Sequence, residues 1–134
     1  MPPLDYRSAF EHAPVGMVLS RNRQMLDCNR HLLAMFGAER DALVGRSFEL
    51  LYPTPGELER TGERIAARLN ASGWYADERV MRRVGGSSAG PCGELFWCRV
   101  SGRAPGPLHP HAEGIWSFED LSSRRHRGAS FASS

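Results

Sequence analysis

Lysine is absent from this sequence, and all 17 of its basic residues are arginine. Set against 15 aspartate and glutamate residues, they leave a formal net charge of only +2. A charge balance this close to zero does not favour nucleic acid as a partner. The composition therefore points away from the nucleic-acid-binding class.

Long apolar runs are also missing. No run approaches the ~20 residues that a membrane-spanning helix needs, and residues 1–5 lack the basic region and apolar stretch that begin a secretion signal. We therefore expect a cytoplasmic protein without membrane insertion. Its 134 residues suit one domain and are too few for two ordinary ones.

Cysteine is scarce and poorly spaced for chemistry. Cys28, Cys92 and Cys98 form an odd set without a Cys-x-x-Cys spacing, which disfavours a disulfide framework and a four-thiolate zinc site. His109 and His111 lie in a proline-rich segment without further spaced ligands, so we predict no metal site. No Gly-x-Ser-x-Gly motif marks a catalytic serine, and we predict no catalytic residues.

Capping residues indicate where the helices begin and end. Asn29 precedes an apolar stripe that ends at Gly37, and a shorter helical turn is predicted over residues 39–43. The strongest signal is Thr54, which is followed by a proline at the first helical position and a glutamate at the third. These residues predict a long helix that ends near Gly73.

The long helix carries two stripes of opposite character. Ile65 and Leu69 share a face that is predicted to be buried. Arg60, Arg64 and Arg68 form the second stripe. A solvated helix face is the ordinary interpretation of these arginines, and an anion site is the alternative.

The remaining pattern predicts strands. Segments 16–20 and 24–28 are separated by three polar residues, which is typical of a hairpin. Longer strands are predicted over 74–84, 94–102 and 112–121, and bulky residues on both sides of the middle one predict that both its faces are covered. Helices grouped between strands favour an α+β domain with one antiparallel sheet and the helices on one face.

Six short segments resemble, in the same order, the PAS sensory domains of the S-box type. They are residues 10–17, 28–30, 35–37, 39–45, 96–103 and 114–125. The resemblance covers residues 6–125 and leaves 126–134 as a linker or disordered tail. It implies a five-stranded antiparallel sheet in the order 2-1-5-4-3. The chain is most similar to PAS modules that precede diguanylate cyclase or histidine kinase domains in bacterial cyclic-di-GMP or two-component signalling.

The same resemblance implies what cofactors to expect. Haem-binding PAS domains commonly use a histidine on the long helix, and residues 55–72 contain none. Flavin-binding light sensors carry an Asn-Cys-Arg-Phe-Leu-Gln type motif just before that helix, where residues 45–51 read Gly-Arg-Ser-Phe-Glu-Leu-Leu. We therefore predict neither haem nor flavin.

A small pocket between the sheet and the helices is the expected ligand site. Its predicted lining is aromatic and aliphatic: Met35, Phe36, Phe48, Tyr52, Ile65, Leu69, Tyr75, Trp97 and Trp116. Arg79 joins this set because strand alternation places it beside Tyr75, where its guanidinium would pair with a ligand carboxylate. An ion pair with Asp77 or a helix carboxylate is the alternative, and the one that we favour.

Asp120 lies at the end of the last predicted strand. Its position resembles the exit motif that joins many PAS domains to their effectors. We expect its carboxylate to cap the next helix or to pair with an arginine near the strand's end, and thereby to transmit the signal.

These observations predict a cytoplasmic, non-catalytic sensor module that binds a small molecule or a partner and regulates a downstream output domain. The alternative is a ligand-free dimerisation module with a filled core. We expect a homodimer, because an N-terminal helical turn carrying Tyr6 and Phe10 exposes apolar surface that a second copy would bury.

Overall fold

The computed structural model describes residues 5–85, 93–103 and 113–122. Its helices are α1 (Tyr6–Glu11), α2 (Arg30–Phe36), α3 (Arg40–Leu43) and α4 (Pro55–Ser72), with a 3-10 turn at Phe48–Leu51. Its strands are β1 (Gly16–Arg21), β2 (Gln24–Cys28), β3 (Trp74–Arg82), β4 (Leu95–Arg103) and β5 (Gly114–Asp120). The tail predicted at 126–134 lies outside the described residues, as do Cys92, His109 and His111.

The strands form one sheet in the order β2-β1-β5-β4-β3, and every neighbouring pair is antiparallel. β1 lies between β2 and β5, so the first and the last of the described strands are hydrogen-bonded neighbours. The predicted α+β class and strand order are confirmed. This order brings the start of the domain beside its exit.

The β1–β2 hairpin depends on an unusual pair of residues. Asn22 and Arg23 have φ angles of 53° and 65°, the left-handed conformation that two-residue hairpin turns require at both central positions. The turn matches the right-handed twist of the two strands. The predicted hairpin is therefore present.

The helix ends follow the sequence signals closely, with one exception. Asn29 caps α2 by accepting a hydrogen bond from the Leu32 backbone, and Gly37 ends this helix at φ 65°. Thr54 is the N-cap residue of α4, but its side chain accepts no capping hydrogen bond. The position of the predicted N-cap is therefore confirmed, but the predicted capping hydrogen bond from the threonine side chain is absent. The proline at the first helical position favours the start of the helix instead.

The core lies between one face of the sheet and the helices. Phe36 meets Phe96 and Phe118 edge to face, with ring centroids 5.3 and 6.0 Å apart. Phe48 packs in the same way on Trp116, at 5.9 Å. Edge-to-face pairs add to the free energy gained by burying the rings. These contacts therefore stabilise the packing of α2 and the 3-10 turn against the sheet.

Trp116 fits because its neighbours on the sheet are small. A Cβ atom added to Gly102, which lies opposite Trp116 in β4, would come within 2.2 Å of the indole ring. The indole nitrogen donates to the Ser20 hydroxyl at 2.9 Å, so its polar atom is satisfied inside the core.

The other face of the sheet is open, contrary to the expectation that the middle long strand is covered on both sides. Leu95 and Trp97 of β4 are 56% and 40% exposed, and Trp74 and Ile115 on neighbouring strands are 51% and 44% exposed. Only the face that carries Phe96 is buried within the described part of the chain. The bulky side chains on both faces of β4 therefore did not indicate that both faces are buried.

Polar contacts attach α1 to the domain, because none of its residues is buried. The Asn29 side chain donates to the carbonyl groups of Phe10 and Val15 at 2.8 and 3.0 Å. It also accepts from the Met17 backbone, in addition to its cap of α2. Asn29 has no exposed surface, so one side chain joins α1, β1 and α2.

We predict that Asn29→Ala lowers the free energy of unfolding by about 2–4 kcal/mol, since it leaves buried backbone groups without partners and removes a helix cap. Urea denaturation measures this loss. His31→Ala, at an exposed position on the same helix, is the control and should stay within about 0.5 kcal/mol of the parent. An equally small change in Asn29→Ala would contradict the role assigned to the asparagine.

Candidate functional site

A cluster of polar side chains lies between β3 and α4. Tyr75, Asp77 and Arg79 alternate along β3 and therefore project from the same face of the sheet. Thr61 reaches them from α4, and only 2% of this residue is exposed. Alternation along one strand and one position on a facing helix thus bring four polar groups together.

The hydrogen bonds of this cluster converge on the guanidinium of Arg79. Its Nε donates to Asp77 Oδ1 at 3.1 Å, and one Nη donates to the other carboxylate oxygen. The second Nη donates to Thr61 Oγ1 at 2.6 Å. Tyr75 accepts from Arg79 at 3.0 Å and donates its own proton to Asp77. The expected pairing of Arg79 with Asp77 is present, as the favoured alternative required.

The surroundings of this cluster keep the Arg79 guanidinium charged and the nearby tyrosine hydroxyls neutral. Burial opposes the charge of Arg79, but its hydrogen bond to Asp77 and the surrounding acidic groups outweigh burial and raise its pKa. Burial raises the pKa of Tyr52, whose ring lies 5.5 Å from the guanidinium carbon, to about 12. Burial, and then the hydrogen bond to Asp77, raise the pKa of Tyr75. Both phenols therefore stay protonated at physiological pH.

The predicted apolar lining lies largely where it was expected. Eight of the predicted residues are buried in a single core cluster between the sheet and the helices: Met35, Phe36, Phe48, Tyr52, Ile65, Leu69, Tyr75 and Trp116. The side chain of Arg79 is 10% exposed at the edge of this cluster. Contact of these residues with a ligand stays a prediction.

Trp97 is the exception. Its side chain is 40% exposed on the outer face of the sheet, where Val80 is its cross-strand partner. Phe96 and Cys98 occupy the inward positions of β4. The prediction that Trp97 lines the interior is wrong, because residues alternate between the two faces and Trp97 has the parity of the outer one.

A second cluster lies where the chain leaves the sheet. Arg83 is only 2% exposed, and its Nη1 donates to Asp120 Oδ2 at 3.1 Å and to the Met35 carbonyl at 2.6 Å. Its Nε donates to Glu94 at 3.1 Å, and its guanidinium carbon lies 3.9 Å from the centroid of the Phe96 ring. One side chain thus connects the end of β3 with α2 and with the last residue of β5.

Asp120 makes the arginine contact that its position suggested, whereas the helix that it was expected to cap lies outside the described residues. One carboxylate oxygen pairs with Arg83, and the other accepts from the Ser122 backbone at 2.8 Å. It therefore links the interior of the domain to the first residues after the sheet. The arginine partner directly follows β3 and is far away in the sequence.

Comparison with known proteins agrees with this geometry. The family model of the PAS domain matches residues 5–69. The PAS domain of a LuxR-family transcriptional regulator from Burkholderia thailandensis, solved in complex with ethanol, is 53% identical to this chain. The match covers 89% of this chain and 99% of that one, with a TM-score of 0.81. This chain belongs to the PAS domain family.

More distant relatives of this PAS domain are found in signalling proteins. Sensor protein TdiS of Thauera aromatica is 29% identical over 124 residues, which make up 92% of this chain and 21% of that protein. The chain thus spans about a fifth of the curated relative that it matches. A PAS domain from Colwellia psychrerythraea shares the fold, with 16% identity, coverage of 88% and 95% and a TM-score of 0.72. The chain is a PAS sensor domain of the kind found in signalling proteins.

Thr61 and Arg83 belong to the PAS domain's polar clusters and were missed by sequence reasoning. Thr61 precedes Ile65 by four residues, so helical spacing already placed it on the buried face of α4. Arg83 follows the last residue of β3, and nothing in its spacing predicted that it would be buried. Its partner Asp120 was predicted, but not the arginine that holds it.

The described cysteines have no sign of reactivity. Burial raises the pKa of Cys28 to about 11 and that of Cys98 to about 12, so both thiols are protonated and pack as small apolar groups. Within residues 5–85, 93–103 and 113–122, no three His, Cys, Asp or Glu side chains are grouped as metal ligands. Over the same residues, no helix has the length and apolar character needed to span a membrane.

We predict that Arg79→Met destabilises the domain by about 3–5 kcal/mol, because it leaves the Asp77 carboxylate without its cation in a largely buried place. Asp77→Leu is destabilising for the converse reason. The double variant should lose less than the sum of the single changes, by about 1–3 kcal/mol in denaturant unfolding.

Arg99 and Glu78 provide the matched control cycle. They form an ion pair of 2.8 Å on the open face of the sheet, where solvent screens the attraction. Their coupling should be smaller than that of Arg79 and Asp77. Equal coupling in the two cycles would show that burial adds nothing to the interior pair.

Proposed function

We propose that this PAS domain is a cytoplasmic sensor module that binds a small ligand between α4 and the sheet and regulates a downstream output domain. The observation that carries the proposal is the polar cluster around Arg79, which is built into an otherwise apolar interior. Pockets that combine apolar walls with a few convergent polar groups are typical of small-molecule sites. Arg79, Tyr75 and Thr61 supply the polar groups.

The ligand that we propose is small and polar at one end. Arg79 is already paired with Asp77, so a ligand carboxylate would have to displace that side chain, whereas a hydroxyl or carbonyl group would only have to join the network. The relative from Burkholderia thailandensis was solved in complex with ethanol. This complex suggests that the ligand of this chain is similar to ethanol in size and polarity. We propose no haem or flavin, because the residues that would hold them are absent from the predicted positions.

The output that we propose is control of transcription. The relative with 53% identity is the PAS domain of a LuxR-family transcriptional regulator, whereas the sensor protein TdiS shares 29%. A histidine kinase or diguanylate cyclase output is the alternative, as the resemblance of the sequence first suggested.

The competing function is dimerisation without a ligand. The observation in its favour is the dense packing of aromatic rings around Phe36 and Phe48. In that case the interior polar cluster would serve the fold alone.

We also propose a homodimer in which Tyr6 of one copy packs on the open sheet face of its neighbour. Tyr6 is 95% exposed at the start of α1. The open face holds a groove of about 360 Å³ whose walls include Trp74 and Ile115. Exposed apolar surface of this kind marks an interaction site, and the groove has room for an aromatic ring.

Native mass spectrometry of the purified domain tests the ligand and the dimer together. We predict a dimer mass that includes a small molecule, which is released on denaturation. Tyr75→Phe removes the hydroxyl between Asp77 and Arg79 and should lower the bound fraction. Tyr6→Phe, the same change at an exposed position, should leave ligand and dimer unchanged, while Tyr6→Ser should increase the monomer fraction.

A native mass equal to that of the protein chains alone would favour the filled core and count against the ligand. An unchanged dimer in Tyr6→Ser would remove Tyr6 from the interface. The two outcomes are independent, because Tyr75 lies inside the domain and Tyr6 lies on its surface.

We propose that Asp120 transmits the ligand state to the output domain through Arg83. A hydrogen bond to a charged group contributes about 1.5–3 kcal/mol, which lies in the range of coupling free energies between allosteric sites. Arg83 also holds the end of α2 through the Met35 carbonyl. A shift of the core helices would therefore reach the exit of the domain through one side chain.

We predict that Asp120→Ala changes the output activity of the full-length parent while the domain remains folded. Asp120→Asn keeps an acceptor for the Ser122 backbone but loses the charge that pairs with Arg83, so it should also change the output. Glu119→Ala, the neighbouring carboxylate, is the control and should signal normally. Normal output from a less stable Asp120→Ala protein would reduce Asp120 to a helix cap worth about 1 kcal/mol.

A further inference from the structure

A second groove lies at the surface, above the polar cluster. It is open to solvent, measures about 170 Å³ and runs between α4 and β3. Arg60 and Arg64 lie along its helix side, one turn apart, while Thr61 and Arg79 also line it. The groove thus places three guanidinium groups around a space large enough for a small molecule.

Three guanidinium groups and three carboxylates line this groove, and two of the carboxylates already form an ion pair with an arginine. Asp77 is neutralised by Arg79, and Glu78 forms its ion pair with Arg99. Neither Arg60 nor Arg64 makes an ion pair within the described part of the chain, which leaves their two positive charges against the single carboxylate of Glu57, also in the groove. The net charge of the remaining groups is positive.

Two buried groups still have donors available. Arg79 has five N–H donors, and its hydrogen bonds to Asp77, Thr61 and Tyr75 use four of them. Thr61 accepts from Arg79 at 2.6 Å, so its own hydroxyl proton remains a donor. Both side chains are nearly buried and held in place by the cluster beneath them.

We propose that this groove binds a small dianion, a phosphate group or a dicarboxylate, through Arg60 and Arg64 at the rim and Thr61 and Arg79 at the floor. A guanidinium group can donate two parallel hydrogen bonds to two oxygens of one anion. Such charge-assisted hydrogen bonds are stronger than those between neutral groups. A dianion balances the two unpaired arginines better than a chloride ion does. The bound anion would join α4 to β3 at the edge of the sheet.

This site adjoins the proposed ligand pocket and shares two residues with it. It opens at the surface and depends on Arg60 and Arg64, whereas the interior pocket depends on Tyr75 and the aromatic core. Arg79 and Thr61 contribute to both. Variants at the rim therefore test the anion site without changing the interior.

Isothermal titration of the purified domain with inorganic phosphate and, separately, with succinate tests the proposal. The ionic strength is held constant with sodium chloride, and acetate serves as the single-charge comparison. We expect saturable binding of at least one dianion. Arg64→Gln should weaken that binding by about tenfold or more, and Arg60→Gln should act in the same direction.

Arg68→Gln is the matched control. Arg68 is exposed on the same helix, one turn beyond Arg64, but does not line the groove. The Arg68→Gln variant should bind the dianion with the parent's affinity. In the absence of dianion, the variants at Arg60, Arg64 and Arg68 should all keep the parent's melting temperature.

Each outcome decides the proposal. Binding of phosphate alone, or of succinate alone, supports the site and names its ligand class, and binding of both supports a general dianion site. No saturable binding of either overturns it, as does equal weakening in Arg68→Gln. In native mass spectrometry, loss of a bound molecule in Tyr75→Phe but not in Arg64→Gln concerns the interior pocket, so the two proposals fail separately.

Discussion

Burial of two arginines, Arg79 on β3 and Arg83 directly after it, is the constraint on which this structure depends. A guanidinium group keeps its charge at any physiological pH, so each buried arginine must be surrounded by acceptors. Arg79 is surrounded by Asp77, Tyr75 and Thr61, and Arg83 by Glu94, Asp120 and the Met35 carbonyl. The first set joins the sheet to α4, and the second joins it to α2 and to the exit of the domain.

Each of the two arginine clusters touches an aromatic ring of the core, Arg79 at Tyr52 and Arg83 at Phe96. Phe96 illustrates the connection, since its ring packs on Phe36 and also lies beneath the guanidinium of Arg83. A closely packed interior does not deform continuously, because its contacts have discrete arrangements. A change at Arg83 therefore has a physical route to Phe36 and Phe118 through rings that lie in contact.

The sequence predicted the elements well and the side-chain partners poorly. Capping and spacing signals located α2, α4 and the hairpin because these are local properties of a few neighbouring residues. The pairing of Arg79 with Asp77 was predictable for the same reason, since the two are separated by one residue on one strand. Trp97 was misplaced because its neighbours on β4 are bulky on both sides, so local pattern did not identify the buried face. Arg83 was missed because its partners are distant in the sequence.

The sequence by itself determined the family, the α+β class, the strand order and the polar character of β3. Local propensity and a set of short motifs in a fixed order are enough for those conclusions. Only the tertiary structure decided that Trp97 faces away from the core, that Asn29 holds α1, and that Asp120 meets Arg83. The physical reason is that burial and long-range hydrogen bonds depend on which surfaces meet when the chain closes on itself, and 37 residues separate Arg83 from Asp120.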